Sequence, residues 1–275
     1  MSIPIQTLHL FPVLDGMLIE LLQSLSPEDW KKPTVAKMWT VKDVAAHLLD
    51  TNIRTISASH QYSGKPPKNI NSYRDLANYL NHLNAVWVEA MDRVSPQQLI
   101  QMLEETGPQH YNYLASLDPF APAMYSVAWA GEEQSLNWFH IAREYTEKWH
   151  HQQQIRQAVG KAGIVTPELF YPCIDTFMYA LPHNYRNVEA EPGDEITIVV
   201  SGKEGGTWYL LKTNNGWVLG KESNGNTIST IIITPDIAWQ FFTKAITPQY
   251  AFNQSDIQGN QELAKPLFGS IAVIA

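Results

Sequence analysis

The sequence predicts an α plus α+β architecture, with a bundle of four long helices over residues 1–162 and a small α+β domain over residues 163–275. Three observations predict it. Apolar residues recur at helical spacing through the first 160 or so positions. After Gly163 the texture changes to short β-branched runs separated by Gly and Asn. The joint falls near residues 160–166, and no internal repeat or low-complexity tract interrupts either part.

A first helix is expected from Thr7 to Leu25, with Leu10, Val13, Leu14, Met17, Leu18 and Leu21 on one stripe. Ser26-Pro27-Glu28-Asp29 breaks it and starts a short helical turn. The second helix begins at Thr40-Val41-Lys42-Asp43, which has the spacing of a capping box with Asp in the usual place of Glu. Val41, Val44, Ala45, Leu48 and Leu49 form its apolar face. Residues 63–71 read as loop. A third helix is expected from Tyr73 to Val94, turned inward by Leu76, Tyr79, Leu80, Leu83, Val86, Trp87 and Met91. Ser95-Pro96 is a further capped start, and the fourth long helix runs from about Glu133 to Ala158.

Beyond the joint, a helix near Pro167–Leu181 leads into strands beginning at Glu195, Thr207, Gly216 and Thr227, with Thr213-Asn214-Asn215-Gly216 as a hairpin turn. Helices follow at Pro235–Ala245 (capped by Thr234) and Ile257–Leu267, then a closing strand over residues 268–274.

Composition narrows the function. Lys plus Arg is 19 against 27 for Asp plus Glu, a net charge of −8, so the clustered cations that nucleic-acid binding needs are in short supply. Hydrophobic residues at 44% and charged ones at 17% fit a chain with an ample core rather than disorder. No apolar run approaches the roughly 18 residues that span a bilayer. The opening residues lack the pattern of a secretory signal, and the single cysteine, Cys173, has no partner for an internal disulfide. A cytoplasmic protein acting on a small molecule is the expectation; nothing in the sequence indicates an oligomeric state.

His140, Glu144, Glu147 and His151 fall at i, i+4, i+7 and i+11 of the fourth helix, which aligns them along one stripe. Glu147 and His151 are one turn apart and close enough to share a metal ion, with His47 as a third ligand across the bundle. Two histidines and a carboxylate, with positions left open, describe a catalytic metal site. The same spacing also describes a solvated face, since Trp138, Ala142, Tyr145 and Trp149 offer an apolar stripe on the other side. His47, at the edge of its helix's apolar face, reads equally as a hydrogen-bonded structural histidine. Cys173, among Phe170, Tyr171, Ile174 and Phe177, reads as a buried inert thiol. The glycines of 202–206 lack the Lys-Ser/Thr ending of a phosphate loop, and Trp208 and Trp217 read as sheet packing.

Trp39-Thr-Val-Lys-Asp-Val-Ala-Ala-His47 resembles the second-helix signature of the DinB-like metalloenzyme superfamily, and His151-Gln-Gln-Gln154-Ile155 is similar to its His-x-x-Gln-Ile tail. Glu147, four residues before His151, matches the variant found in mycothiol-dependent maleylpyruvate isomerases. That family appends a sterol-carrier-like α+β domain. Here Ile257-Gln-Gly-Asn-Gln-Glu-Leu-Ala resembles its closing Gly-Asp-x-x-Leu-Ala element, with Asn260 in place of Asp. The resemblance implies His47, Glu147 and His151 as ligands of a divalent metal, zinc first and nickel second. It also implies a low-molecular-weight thiol as cosubstrate, used for isomerisation or S-transfer on a small electrophile. Glu144 is the candidate for a catalytic proton relay; it and His140 read equally as structural. His150, about 100° around the helix from His151, is expected to stay outside the ligand set.

One departure bears on substrate. Arginine is the natural residue for forked recognition of a dicarboxylate, and the chain has none after Arg186, leaving Lys203, Lys212, Lys221, Lys244 and Lys265. Two other functions therefore stand beside the thiol-dependent enzyme. One is a non-catalytic carrier of an apolar molecule through the C-terminal domain. The other is a thiol-independent, metal-assisted hydrolase.

Overall fold

The structure is a computed structural model and describes residues 2–36, 38–62, 64 and 70–269. The described residues fold as two compact units: those up to Met124 with Leu136–Gly163, and Tyr125–Ser135 with 164–269.

Among the described residues, the first unit holds five α-helices: α1 (Phe11–Gln23), α2 (Val41–Ser59), α3 (Tyr73–Met91), α4 (Pro96–Ser116) and α5 (Asn137–Ala158). The bundle proper is α1, α2, α4 and α5, with α3 laid against α2. This differs from the expected four, because Ser95-Pro96 opens a full helix of 21 residues. Gly107-Pro108 breaks the helical pattern in sequence, yet α4 runs through it. Gly107 sits where a β-carbon would lie 3.0 Å from Asp15 Oδ2, so its bare backbone lets α4 approach α1. Packing outweighs local propensity here. The α3 stripe is correspondingly half-buried, and Leu83 and Val86 face solvent although the spacing turned them inward. Most of the expected loop 63–71 lies outside the described residues.

The start of α2 follows its sequence. Thr40 Oγ1 accepts from Asp43 N at 3.3 Å while Asp43 Oδ2 accepts from Thr40 N at 2.8 Å, the reciprocal bonds of a capping box. Val41, Val44, Leu48 and Leu49 then meet Leu99 and Ile155 in the bundle core. Trp87 Nε1 donates to the Ala46 carbonyl at 2.8 Å, which fixes α3 to α2. On α5, Lys148 is buried and its Nζ lies 2.6 Å from Asp15 Oδ1, so the buried cation is matched from α1.

In the second unit, α6 (Pro167–Met178) and α7 (Leu181–Asn184) precede β1 (Glu195–Val200), β2 (Gly206–Thr213), β3 (Gly216–Gly220) and β4 (Thr227–Ile233). Then come α8 (Pro235–Phe242), α9 (Pro248–Asn253), β5 (Asp256–Gly259) and α10 (Gln261–Ala264). The sheet order is β3-β2-β1-β4-β5, with β1 and β4 parallel and the other pairs antiparallel. Alternating Ile196, Ile198 and Val200, with Trp208, Leu210, Ile231 and Ile233, form its buried apolar set. Asn214-Asn215 makes the turn between β2 and β3 with neither residue at positive φ, and Gly216 just after it takes φ 125°, which its missing β-carbon permits. Trp208 and Trp217 pack the sheet as expected: Trp208 stacks on Tyr171 and donates to Asp175 Oδ1 at 2.7 Å, and Trp217 meets Tyr185 edge-on. Cys173 is buried.

The helix expected over Ile257–Leu267 is corrected. Residues 256–259 pair with β4, and α10 starts only after Asn260. Asn260 Oδ1 accepts from the backbone N–H groups of Glu262 and Leu263, so it caps α10 as an aspartate would. Phe268 and Gly269 end a 3₁₀ turn rather than opening a strand, and 270–274 lie outside the described residues.

Candidate metal centre

Helix α5 brings the acidic and histidine residues inside. It is buried almost all round, so neither of its stripes is a solvated face: Trp149 and Tyr145 are buried on one side, and His140, Glu144 and His151 on the other. His47 enters from α2 and is buried too.

The donor atoms of His47, Glu147 and His151 all lie within 4.8 Å of one another, the one such grouping of His, Cys, Asp and Glu among the described residues. His151 Nε2 stands 3.5 Å from Glu147 Oε2. Two donors each about 2.1 Å from a tetrahedral zinc would be about 3.4 Å apart, so the spacing fits one shared cation. The His47 and His151 rings meet edge-on with centroids 4.7 Å apart, and Trp39 packs its indole at 5.0 Å from His47 and 6.3 Å from His151. Thus the Trp39-Thr40-Val41 start both caps α2 and walls the cluster.

Hydrogen bonding prepares the donors. His151 Nδ1 donates to Gln154 Oε1 at 2.9 Å, which leaves Nε2 as the lone-pair nitrogen facing Glu147. His47 Nδ1 is buried with no hydrogen-bond partner in the protein. Burial, then the neighbouring His151, pushes His47 well below its usual pKa, so it is the neutral imidazole that metals bind. Burial pushes Glu147 upward, but its neighbours His151, His150 and Arg143 outweigh it and hold the group as a carboxylate, below its usual pKa. The donor set and its charges therefore fit a divalent metal.

His150 stays outside the set: its Nδ1 donates to the Thr146 carbonyl at 2.7 Å, although its ring lies against that of His151. Glu144 and His140 sit one and two turns up the stripe and share a partner, Arg143. Its Nη2 donates to His140 Nδ1 at 2.8 Å and to Glu144 Oε1 at 2.6 Å. Burial raises Glu144, yet Arg143 and the nearby His140 and His110 bring its pKa below the usual value. Sequence spacing pointed to neither Arg143 nor the role of Gln154. The Gln of His-x-x-Gln was visible, but only its bond to His151 shows what it does.

Replacing Gln154 with leucine is expected to weaken zinc binding by about 10–100-fold while keeping the stoichiometry, because the His151 ring loses its anchor. Competition against a chromophoric chelator measures this; unchanged affinity would remove Gln154 from the site.

Fold and site together define a class: a helical bundle with an interior two-histidine, one-carboxylate cluster, followed by a small α+β unit. The family model described as the mycothiol maleylpyruvate isomerase N-terminal domain matches residues 14–156, more than half of the chain. The chain belongs to that family, as the resemblance at Trp39–His47 and His151–Ile155 led one to expect.

Among solved structures, the mycothiol-dependent maleylpyruvate isomerase aligns with a TM-score of 0.51 at 10% identity, over 85% of this chain and 86% of that chain. A histidine-to-alanine mutant of the mycothiol-dependent maleylpyruvate isomerase gives 0.52 at 9% identity over the same shares. These likenesses extend the shared fold across both units. No curated protein matches the chain in sequence. No helix among the described residues is long and apolar enough to cross a membrane.

Proposed function

We propose that this protein is a metal-dependent enzyme that uses a low-molecular-weight thiol on a small electrophilic substrate, by isomerisation or S-transfer, in the manner of a maleylpyruvate isomerase. One observation carries the reading: in a chain of this family, the His47, Glu147 and His151 donors gather within 4.8 Å. These three residues would hold the cation, zinc or nickel. When bound, the cation supplies a Lewis acid that stabilises a thiolate at neutral pH.

The chain's own residues do the rest. Glu144, held ionised beside Arg143 with its pKa below the usual carboxylate value, would relay the proton that the thiol releases onward to solvent rather than retain it. Arg143 fixes that carboxylate and the His140 ring with one nitrogen, so neither can turn away. In the isomerisation, the thiolate forms a C–S bond to one carbon of a cis double bond, and the π pair moves onto the conjugated carbonyl. Rotation about the resulting single bond and reversal of the addition give the trans alkene and return the thiolate. In S-transfer, the same nucleophile displaces a leaving group, which departs with the bonding pair.

The test is a thiol-by-electrophile assay on zinc-loaded protein, with mycothiol and other small thiols against maleylpyruvate and related cis-enoyl acids. Thiol-dependent turnover is expected, and Glu144→Gln should reduce kcat by about 100-fold with zinc content unchanged. Turnover that needs no thiol would replace this reading with metal-assisted hydrolysis. An inactive protein that copurifies with an apolar ligand would replace it with a carrier.

A further inference from the structure

The two histidines of the cluster are held in different ways. Gln154 Oε1 anchors His151 Nδ1 at 2.9 Å, whereas His47 Nδ1 has no hydrogen-bond partner in the protein. The orientation of the His47 ring therefore rests on packing. Two rings pack against it: Trp39, with centroids 5.0 Å apart and planes at 46°, and His151, edge-on at 4.7 Å. Outer contacts of this kind orient metal-binding imidazoles and control their exposure to solvent.

Trp39 is itself seated by the turn that precedes α2. Pro33 bridges Thr40 in a short antiparallel stem, in which Val41 N donates to the Lys32 carbonyl at 3.0 Å and Thr34 N donates to the Trp39 carbonyl at 3.0 Å. The Thr34 hydroxyl gives that same carbonyl a second bond at 2.9 Å and accepts from Ala36 N at 3.2 Å. Trp39 N donates to the Ala36 carbonyl at 3.0 Å. Both backbone polar groups of Trp39 are thus bound within the turn, and its carbonyl is held by Thr34 twice.

These bonds work against the turn's own preference. Met38 takes φ 72°, a left-handed conformation that a β-carbon disfavours, and its side chain is 99% exposed, so no packing compensates. Loss of the Thr34 hydroxyl bond would let Met38 relax and carry the adjoining Trp39 with it. The indole that orients His47 would then leave its place.

We propose that Thr34 is a positioning residue of the metal centre, acting through Trp39 on the His47 ring. This rests on the ligand assignment given above and is independent of the thiol chemistry.

The experiment titrates cobalt(II) into the metal-free protein and follows the visible bands of the bound ion, which report its donor geometry. The wild type is expected to take up one equivalent. Thr34→Val keeps the shape and the backbone bond but not the hydroxyl; it should weaken cobalt binding about tenfold and alter the bands. Thr34→Ser, which keeps the hydroxyl, should restore both. Trp39→Leu should weaken binding at least as much, and adding Thr34→Val to it should cost nothing further, since no indole is left to seat. Wild-type affinity and bands in Thr34→Val would overturn the role. So would an equal loss with and without Trp39, the mark of a merely structural threonine. A wild type that takes up no cobalt overturns the ligand assignment and this role together. One that binds cobalt but shows no thiol-dependent turnover overturns the thiol reading alone.

Discussion

Replacing His151 with alanine is expected to take bound zinc from near one equivalent to below about a tenth at micromolar free metal. His151 is the member that the rest of the cluster is arranged around. Its Nε2 faces Glu147 Oε2 at 3.5 Å, its ring meets His47, and Gln154 holds its other nitrogen. The remaining imidazole and carboxylate are two donors, and structural and catalytic zinc sites use at least three from the protein. His150→Ala is the matched control, since that ring is committed to the Thr146 carbonyl and should leave the stoichiometry intact. Elemental analysis of protein purified without an affinity tag gives the answer. Stoichiometric zinc in the alanine variant would sink the ligand assignment.

The metal-free protein is expected to lose stability steeply as pH falls from about 6.5 toward 4. An unfolded histidine titrates near 6.5. In the folded chain, burial lowers His140 to about 4, with Arg143 contributing, and lowers His110 and His150 to about 3. Between those values the unfolded chain binds protons that the folded chain refuses. The stabilisation is therefore complete above the unfolded pKa and is lost as pH falls toward the folded ones. Each histidine contributes up to about 1.4 kcal/mol per pH unit in that window. The depressed Glu147 works in the same direction only below the carboxylate range. Thermal melts at pH 8, 6.5, 5 and 4 test this, with a His110→Asn, His140→Asn double variant expected to show a shallower decline. A wild-type melting temperature that is flat from pH 6.5 to 4.5 would contradict it.

How much of this was legible depended on whether the deciding interaction was local. The entry to α2 was, because Thr40 and Asp43 satisfy each other within one turn. The β2–β3 hairpin was too, because its signal, Asn214-Asn215-Gly216, lies in the turn itself. Helix α4 was not, beyond its Ser95-Pro96 start: Gly107-Pro108 signals a break, and only the close approach of Asp15 shows why a glycine stands at 107 within a continuous helix. Strand β5 was hidden for a similar reason, as residues 256–259 become a strand by pairing with β4 rather than by their own pattern.

At the site, spacing alone left α5 open to two readings, since a stripe of His and Glu has the same periodicity whether it meets water or a core. The resemblance at Trp39–His47 supplied the direction, and the burial of His47, Glu144 and His151 supplied the reason. Arg143 could not be found from sequence, because its role is a bond to the residue beside it and to another one turn back.

The segment between α4 and α5 has a practical consequence. Residues 125–135 leave the first unit and fold with the second, where the Trp129 ring lies 6.3 Å from that of Phe177 and the chain around Gly131 passes under His183. The second unit is thus encoded by two separate stretches of the gene. Cutting the chain at residue 163 would divide Trp129 from Phe177, leaving the downstream fragment with an uncovered aromatic face and the upstream one with an insertion that has nothing to fold against. Dissection of the two units calls for excising 125–135 and grafting it ahead of Ile164, rather than for a single truncation.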